Sequence, residues 1–130
     1  GSCRDSLYMT QNQIRVESVD LSEKLLRASS HIYPNKYKRV MDILRLGYSN
    51  GVFDGIWCSA VLLHLPHKDI VLALKEFARV LKKDGILYLS VIFLICSAVF
   101  NIKSSASITQ GPEIKTKGAL SPIVMFPTFT

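Results

Sequence analysis

The chain has 130 residues, enough for one domain, and its apolar share of 48% is enough for a hydrophobic core. A charged share of 20% argues against disorder, and the net charge of +6 comes from scattered Lys and Arg residues without the basic and aromatic clusters of nucleic-acid-binding proteins. Three widely spaced cysteines, with no Cys-x-x-Cys pair, exclude a disulfide framework and fit a reducing cytoplasm.

The first strand signal ends in an acidic residue. Ser6 to Gln13 is weakly helical, and Ile14 to Val19 alternates apolar and polar residues, which is the period of a strand. Asp20 follows at once. An ionised carboxylate at the end of such a strand commonly accepts both ribose hydroxyls of a nucleotide. The alternative is that Asp20 only starts the turn before the next helix.

A helix and a short strand come next. Ser22 is suited to cap a helix that ends near Ser29-Ser30. Tyr37 to Met41 then predicts a short strand, and it ends in Asp42. A carboxylate there can accept a hydrogen bond from a ligand amino group, but Asp is also frequent in loops, where it binds nearby backbone. Both interpretations stay open.

The strongest pattern is a strand, a helix and a second strand. Ile56 to Leu65 is an apolar run typical of a strand buried on both faces, and Pro66 can open the helix that follows. That helix carries one apolar stripe, and Gly85 is suited to cap its C-terminus. Ile86 to Val91 is the second strand. Such a unit predicts that the two strands are parallel.

Candidate functional residues follow the first of these strands. Cys58, Ser59 and Ala60 lie where open parallel sheets bind ligands, at the carboxyl ends of the strands. Cys58 is better explained as a small apolar filler than as a nucleophile, because no positioned base is evident. His64 is suited to act as a general base or to orient an acceptor, since a histidine pKa lies near neutrality. Alternatively, it caps the next helix or binds a backbone carbonyl.

In this order and spacing, the motifs resemble the middle of a class I S-adenosylmethionine-dependent methyltransferase, over roughly Gly1 to Val91. The resemblance rests on F-D-G-I-W-C-S-A-V-L-L-H-L-P, A-L-K-E-F-A-R-V-L-K and G-I-L-Y. It implies an α/β fold, a Rossmann-like parallel sheet reduced to about four strands with flanking helices. It also implies S-adenosylmethionine as the cofactor and transfer of its methyl group to an acceptor.

The resemblance assigns roles to residues at the strand ends. Asp20 would hold the ribose, Asp42 the adenine amino group, and His64 is the candidate catalytic residue. No metal is predicted, because no Cys or carboxylate stands at ligand spacing from the histidines. The predicted cofactor-binding residues are Gly1, Cys3, Arg4, Asp20, Leu21, Asp42, Ile43, Cys58, Ser59 and Ala60.

The N-terminal end departs from the family pattern. Gly1 to Ser6 is similar to the tail of a Gly-x-Gly-Arg-Asp loop, with Cys3 where a glycine is expected and without the preceding strand, which is normally central. A side chain at Cys3 would crowd the cofactor, since only a bare backbone fits such a turn. We therefore expect a truncated domain that binds its cofactor weakly and turns over slowly. Alternatively, Gly1-Ser2 is a disordered end.

The C-terminal third carries no family motif. Ile86 to Ile102 is an interrupted apolar run of 17 residues, close to the lower limit of about 17 for a membrane helix, yet its start predicts a strand. We expect a strand with an apolar extension. Lys103 to Thr130 contains three prolines and many Ser and Thr residues, which is typical of irregular or disordered chain. The predicted divisions are a partial methyltransferase domain, 1–102, and a tail, 103–130.

Two other functional classes stay open. A fragment of an NAD-type dinucleotide-binding oxidoreductase would share the glycine loop and Asp20, but would not need Asp42 or the segment around His64. A non-catalytic fragment or interaction module would leave sheet edges that invite pairing. The acceptor, a small molecule or another nucleophile, is not indicated by the sequence, nor is the oligomeric state.

Overall fold

The structure, a computed structural model, describes residues 1–91, 96–101, 107–109 and 122–126. The helices are α1 (Arg4–Gln11), α2 (Glu23–Ala28) and α3 (His67–Val80), with short 3-10 turns at Asn35–Tyr37 and Leu62–His64. The strands are β1 (Arg15–Asp20), β2 (Lys38–Val40), β3 (Phe53–Ser59), β4 (Leu81–Val91), β5 (Cys96–Asn101), β6 (Ser107–Thr109) and β7 (Pro122–Phe126).

The strands form one mixed sheet in the order β2-β1-β7-β3-β4-β5-β6. The first five strands in this order are parallel, β5 is antiparallel to β4, and β6 is antiparallel to β5. This confirms the predicted α/β class and the parallel strand–helix–strand unit. The expected number of about four strands is wrong, since seven strands are described.

The central strand β7 comes from the segment for which the sequence predicts irregular structure. It pairs in parallel with β1 on one side and with β3 on the other, with Met125 opposite Ser18 and Val124 opposite Ile56. A parallel strand inside a sheet has a short continuous apolar run in its sequence rather than an alternation. Ile-Val-Met-Phe is such a run, and Pro122 stands at its first position, where a proline is tolerated. β7 therefore takes a central place in the sheet, between β1 and β3.

Two hydrophobic clusters cover the two faces of the sheet. Val16 and Val19 of β1 belong to different clusters, as expected for residues an odd number apart in a strand. The larger cluster packs α3, through the fully buried Phe77, against β3 and β4. The smaller cluster contains Met9 of α1 and Leu26 of α2. The apolar stripe predicted for α3 is therefore the stripe that this helix buries.

The end of α3 differs from the prediction. The helix stops at Val80, and β4 begins at Leu81 with extended backbone, so Gly85 is not its C-cap. The left-handed residue in this segment is Asp84, with φ 65°. A Cβ on Gly85 would lie 2.6 Å from Leu81 Cγ and 2.9 Å from the backbone oxygen of Lys82. Close packing against the chain explains this glycine, because no side chain fits there.

The apolar run Ile86 to Ile102 begins as a strand, as predicted, but its later described part does not extend that strand, because residues 96–101 form the separate strand β5. Residues 86–91 lie in β4, and β5 pairs antiparallel with them, with Leu89 opposite Ala98. Within the described ranges, no helix has the length and apolar character needed to cross a bilayer. Residues 92–95 and 102 lie outside the described residues.

The central place of β7 predicts that Val124→Pro lowers the stability of the whole domain. Proline removes one backbone N–H from a strand that has partners on both edges, and an unpaired buried carbonyl costs about 1–3 kcal/mol. Urea unfolding followed by circular dichroism measures the loss. Val124→Thr, which keeps a β-branched residue, should lose less. Equal stabilities of Val124→Pro and the parent chain would contradict a central β7.

Candidate functional site

Several of the predicted site residues lie at one edge of the sheet, where the parallel strands end. Asp20 closes β1, and Asp42 follows β2 by two residues. The backbone N–H of Met41 donates to the carbonyl of Asp20 at 3.2 Å, which holds the two strand ends together. Ser59 and Ser90 lie side by side at the ends of β3 and β4. We call this edge, with the turn of residues 1–3, the carboxyl-edge site.

The turn before α1 has the backbone of a glycine turn although it carries a cysteine. Cys3 adopts the left-handed conformation, with φ 56°, and caps α1 without a side-chain hydrogen bond. Its side chain is 0% exposed and lies in the cluster with Met9 and Leu26. Its sulfur accepts a hydrogen bond from Ser29 Oγ at 3.3 Å. The thiol therefore points into the core and is not placed to crowd a ligand, so only the Cys3 backbone can serve the predicted role.

Asp20 performs the local role and keeps capacity for a ligand. Its Oδ1 accepts the backbone N–H of Ser22 at 2.8 Å, and its Oδ2 binds the amino group of Gly1. Ser22 in turn caps α2 by accepting from Leu25 N–H, as the sequence predicts. A carboxylate has about four acceptor positions, so two remain. The side chain is only 7% exposed, so a ribose must reach these positions or displace the Gly1 amine.

The residues beside the two aspartates differ in exposure. Leu21 is 69% exposed, one of several large apolar side chains that the described elements leave exposed. Asp42 is exposed, and its Oδ1 accepts the N–H of Leu44 at 2.9 Å, which is the local loop bond considered above. Ile43, predicted to bind the cofactor, is buried in the α3 cluster. Its side chain therefore lies in the core, which the loop position alone did not indicate.

The loop that carries Asp42 is fixed by an ion pair on α3. Glu76 Oε2 accepts the N–H of Leu46 at 2.8 Å. Arg79 donates to Glu76 and to the carbonyls of Leu46 and Tyr48, each of these carbonyls at 2.7 Å. The Arg79 hydrogen bond holds the pKa of Glu76 below its usual value, although burial opposes this shift. In the sequence both residues lie off the apolar stripe of the helix. Their three-residue spacing is the one local signal that could have indicated a pair.

The end of β3 presents backbone rather than side chains. Cys58 is 1% exposed, and burial raises the pKa of its thiol to about 12, so it is an inert filler as favoured above. Ser59 is half-buried. Ala60 has φ 51°, and its N–H donates to the carbonyl of Ser90 at 2.8 Å. Left-handed conformations in residues other than glycine collect at ligand sites, and two of them lie at this edge.

The candidate base lies just beyond this strand. His64 is exposed in the 3-10 turn Leu62–His64, and its backbone N–H donates to the carbonyl of Val61 at 3.0 Å. This places the residue beside the site without assigning it a chemical role, so catalysis by His64 stays a prediction. Arg4, also predicted to bind the cofactor, is exposed and donates to Ser2 Oγ at 3.3 Å. In the part of the chain that the structure describes, no three His, Cys, Asp or Glu residues form a metal-binding group.

The comparison with known families decides the class. A family profile described as "Methyltransferase domain" matches residues 1–89, which is more than half of the chain. The chain belongs to this family. The class I methyltransferase resemblance is thereby confirmed, and the match favours this class over a dinucleotide-binding oxidoreductase. No curated protein matches the chain.

Solved structures with the same fold are distant in sequence. The PH0226 protein of Pyrococcus horikoshii OT3 shares 23% identity, with a TM-score of 0.65 over 72% of this chain and 43% of its own. The [4+2]-cyclase SpnF shares 22%, with a TM-score of 0.62 over 68% and 35%. Burkholderia thailandensis 1,6-didemethyltoxoflavin-N1-methyltransferase, solved with 1,6-didemethyltoxoflavin and S-adenosylhomocysteine, shares 20%, with a TM-score of 0.61 over 83% and 49%. This chain spans less than half the length of each.

The residues at the carboxyl-edge site fit the adenosine part of a nucleoside cofactor. Asp20 and Asp42 offer carboxylate acceptors on adjacent strand ends, suited to hydroxyl and amino donors. Leu21 offers an exposed apolar side chain directly after Asp20. The left-handed turn at Cys3 leaves its backbone at the edge because the thiol is turned inward. These features suit one flat base, one ribose and one extended polar chain.

The Glu76–Arg79 pair predicts an acid-sensitive contribution to stability. A folded-state pKa below the unfolded value near 4.5 stabilises the fold above that pH, and this stabilisation is lost as the pH falls through the folded pKa. Glu76→Gln should therefore cost about 1 kcal/mol at pH 7 and almost nothing at an acid pH below the lowered pKa, where Glu76 is protonated. Thermal unfolding at both pH values measures the difference. Glu23→Gln, in an exposed pair with Arg27, should change little at either pH; a Glu76 effect independent of pH would contradict the assignment.

Proposed function

We propose that this protein transfers the methyl group of S-adenosylmethionine to a nucleophile on a small-molecule acceptor in the cytoplasm. The observation that carries the proposal is that Asp20 and Asp42 lie at the ends of adjacent strands, with the exposed Leu21 directly after Asp20, in a methyltransferase domain. The free, buried thiols of Cys3 and Cys58 support a reducing compartment.

The chain's own residues divide the work of binding. S-adenosylmethionine, when bound, supplies a methyl group activated by a positively charged sulfur. Asp20 accepts hydrogen bonds from the ribose hydroxyls, and Asp42 accepts a hydrogen bond from the adenine amino group. Leu21 packs on the base, which explains an exposed leucine at this place. The backbone around Cys3 meets the polar end of the cofactor.

Methyl transfer needs little chemistry from the protein beyond alignment. Most of the rate gain comes from holding the acceptor atom in line with the methyl group, which replaces an encounter in solution by a fixed approach. Ser59 and Ala60 border the space where the two must meet. A base is needed only when the acceptor loses a proton, and His64, in the 3-10 turn after β3, is the residue that we propose takes it.

The acceptor class and the rate are the finer parts of the proposal. A small-molecule acceptor is supported by the didemethyltoxoflavin methyltransferase, a neighbour of the same fold. Slow turnover is the second finer part, proposed for a chain that spans less than half the length of each solved neighbour. It is no longer supported by Cys3, whose side chain is in the core, or by an empty central strand position.

The ribose role predicts that Asp20→Ala weakens binding of S-adenosylhomocysteine by about 1–3 kcal/mol, because the ribose hydroxyls lose a charged acceptor. Isothermal titration calorimetry measures the affinity. Asp54→Ala is the matched control, since Asp54 stands at the opposite end of β3 and pairs with Lys82 at 2.9 Å. Equal affinities for the Asp20 variant and the parent chain would remove Asp20 from the site. Titration with NAD in the same series tests the oxidoreductase alternative.

The proposed activity is tested by transfer of labelled methyl from S-adenosylmethionine to a pool of small molecules with hydroxyl, amine or thiol nucleophiles. We expect slow transfer by the 130-residue chain, and Asp20→Ala should reduce it further. Fast transfer would contradict the impairment alone. A chain that binds no S-adenosylhomocysteine and transfers no methyl group would contradict the proposed function itself.

A further inference from the structure

One hydrogen bond ties the start of α1 to the strand that ends at the site. The indole Nε1 of Trp57 donates to Asp5 Oδ2 at 3.3 Å, across 52 residues of sequence. Asp5 lies in the first turn of α1, two residues after Cys3. Trp57 lies two residues before Ser59 on β3, so both side chains leave the same face of the sheet. The bond therefore spans from the cofactor turn to the reacting end of β3.

The donor of this bond is itself held by the sheet. The Trp57 ring stacks on the ring of Tyr88, its register partner on β4, with centroids 3.8 Å apart and planes 10° from parallel. The indole also packs against the cluster that contains Met9. Stacking and packing leave the indole little freedom to rotate. The indole N–H is therefore a fixed donor against which α1 can be positioned through Asp5.

The turn of residues 1–3 is held by Asp20, which binds the Gly1 amine, and by Ser29, which donates to Cys3 Sγ, and the helix that follows it has anchors of its own. Cys3 caps α1 with no side-chain hydrogen bond, and α1 has only eight residues. Ser6 Oγ and Ser18 Oγ, 2.7 Å apart and buried, fix the helix to β1. Asp5 and Trp57 fix it to β3. Contacts with two strands, one on each side of β7, define the place of the turn on the sheet.

We propose that Asp5 and Trp57 are positioning residues of the cofactor site. They hold the turn of residues 1–3 at a set distance from Ser59 and Ala60, so that the polar end of the cofactor and the acceptor meet in register. This inference rests on the proposed function. Neither residue contacts the cofactor, and both act through the backbone of the turn.

The test is a double-mutant cycle read by calorimetry with S-adenosylhomocysteine. Asp5→Ala and Trp57→Phe should each raise the Kd roughly 2- to 10-fold, the usual effect of one lost hydrogen bond. The Kd of the double variant should be no higher than the higher of the two single-variant Kd values, because each single substitution removes the same hydrogen bond. Asp5→Asn keeps a carbonyl acceptor of the same shape and should restore most of the affinity. Tyr88→Phe keeps the ring stack and should leave the Kd unchanged.

Fluorescence gives a readout that a purely structural role would not change. Trp57 is the only tryptophan of the chain, so the tryptophan emission reports the surroundings of this one ring, which include its hydrogen bond to Asp5. S-adenosylhomocysteine should change the emission of the parent chain and of Asp5→Asn. The change should be lost in Asp5→Ala at temperatures where circular dichroism shows that variant folded. If Asp5→Ala does not fold, the comparison of Asp5→Asn with Trp57→Phe carries the test through the Kd values.

The outcomes separate this inference from the proposed function. Additive losses of affinity in the cycle overturn the positioning role. Kd values of Asp5→Asn and Trp57→Phe that both equal the Kd of the parent chain overturn it as well. In either case, binding by the parent chain leaves the proposed function standing. Absence of binding by the parent chain overturns both. Coupled losses with rescue by Asp5→Asn support the positioning role.

Discussion

The structure depends on one position, the slot between β1 and β3. Strands on both sides of it expose N–H and C=O groups inside the sheet, and each unpaired buried group costs about 1–3 kcal/mol. β7 satisfies both ladders at once. It also sets the spacing of the site, because β1 and β3 stand two strand separations apart, roughly 10 Å. Asp20 and Ser59 therefore face each other across a gap that only the strand between them defines.

Two of the four non-glycine residues with left-handed backbone in the described part of the chain, Cys3 and Ala60, lie at the same edge, and contacts of each residue offset the strain. The left-handed conformation costs a residue with a Cβ about 1–2 kcal/mol, and both Cys3 and Ala60 adopt it. At Cys3, burial of the thiol and its hydrogen bond with Ser29 offset part of this strain. At Ala60, the hydrogen bond to Ser90 has the same effect. A glycine would remove the strain at Cys3 but would also leave a cavity between α1 and α2, which explains how a cysteine is accepted there.

Local patterns predicted the elements, and long-range contacts decided the rest. The apolar run of β3 and the stripe of α3 were readable because their periods are local. β7 was missed because a run of four apolar residues between prolines is too short to predict a strand by itself. The strand is stabilised by its pairing with two neighbouring strands. The end of β1 at Asp20 was correctly placed, but the predicted strand Ile56 to Leu65 ran past the end of β3 at Ser59 and into the 3-10 turn Leu62–His64. The inward side chains of Cys3 and Ile43 were not predicted, since tertiary packing, which no spacing encodes, sets their direction.

The unit of β3, α3 and β4 acts as the frame to which the site's loops are fixed. Glu76 and Arg79 of α3 hold the loop after β2, reaching Leu46 30 residues away. Trp57 of β3 holds the turn before α1 across 52 residues. The side chains that make these hydrogen bonds lie on the elements that form the larger hydrophobic cluster. The loops are therefore held by rigid parts of the core. The segments that meet the cofactor come from the first part of the chain, but the later unit sets where they stand.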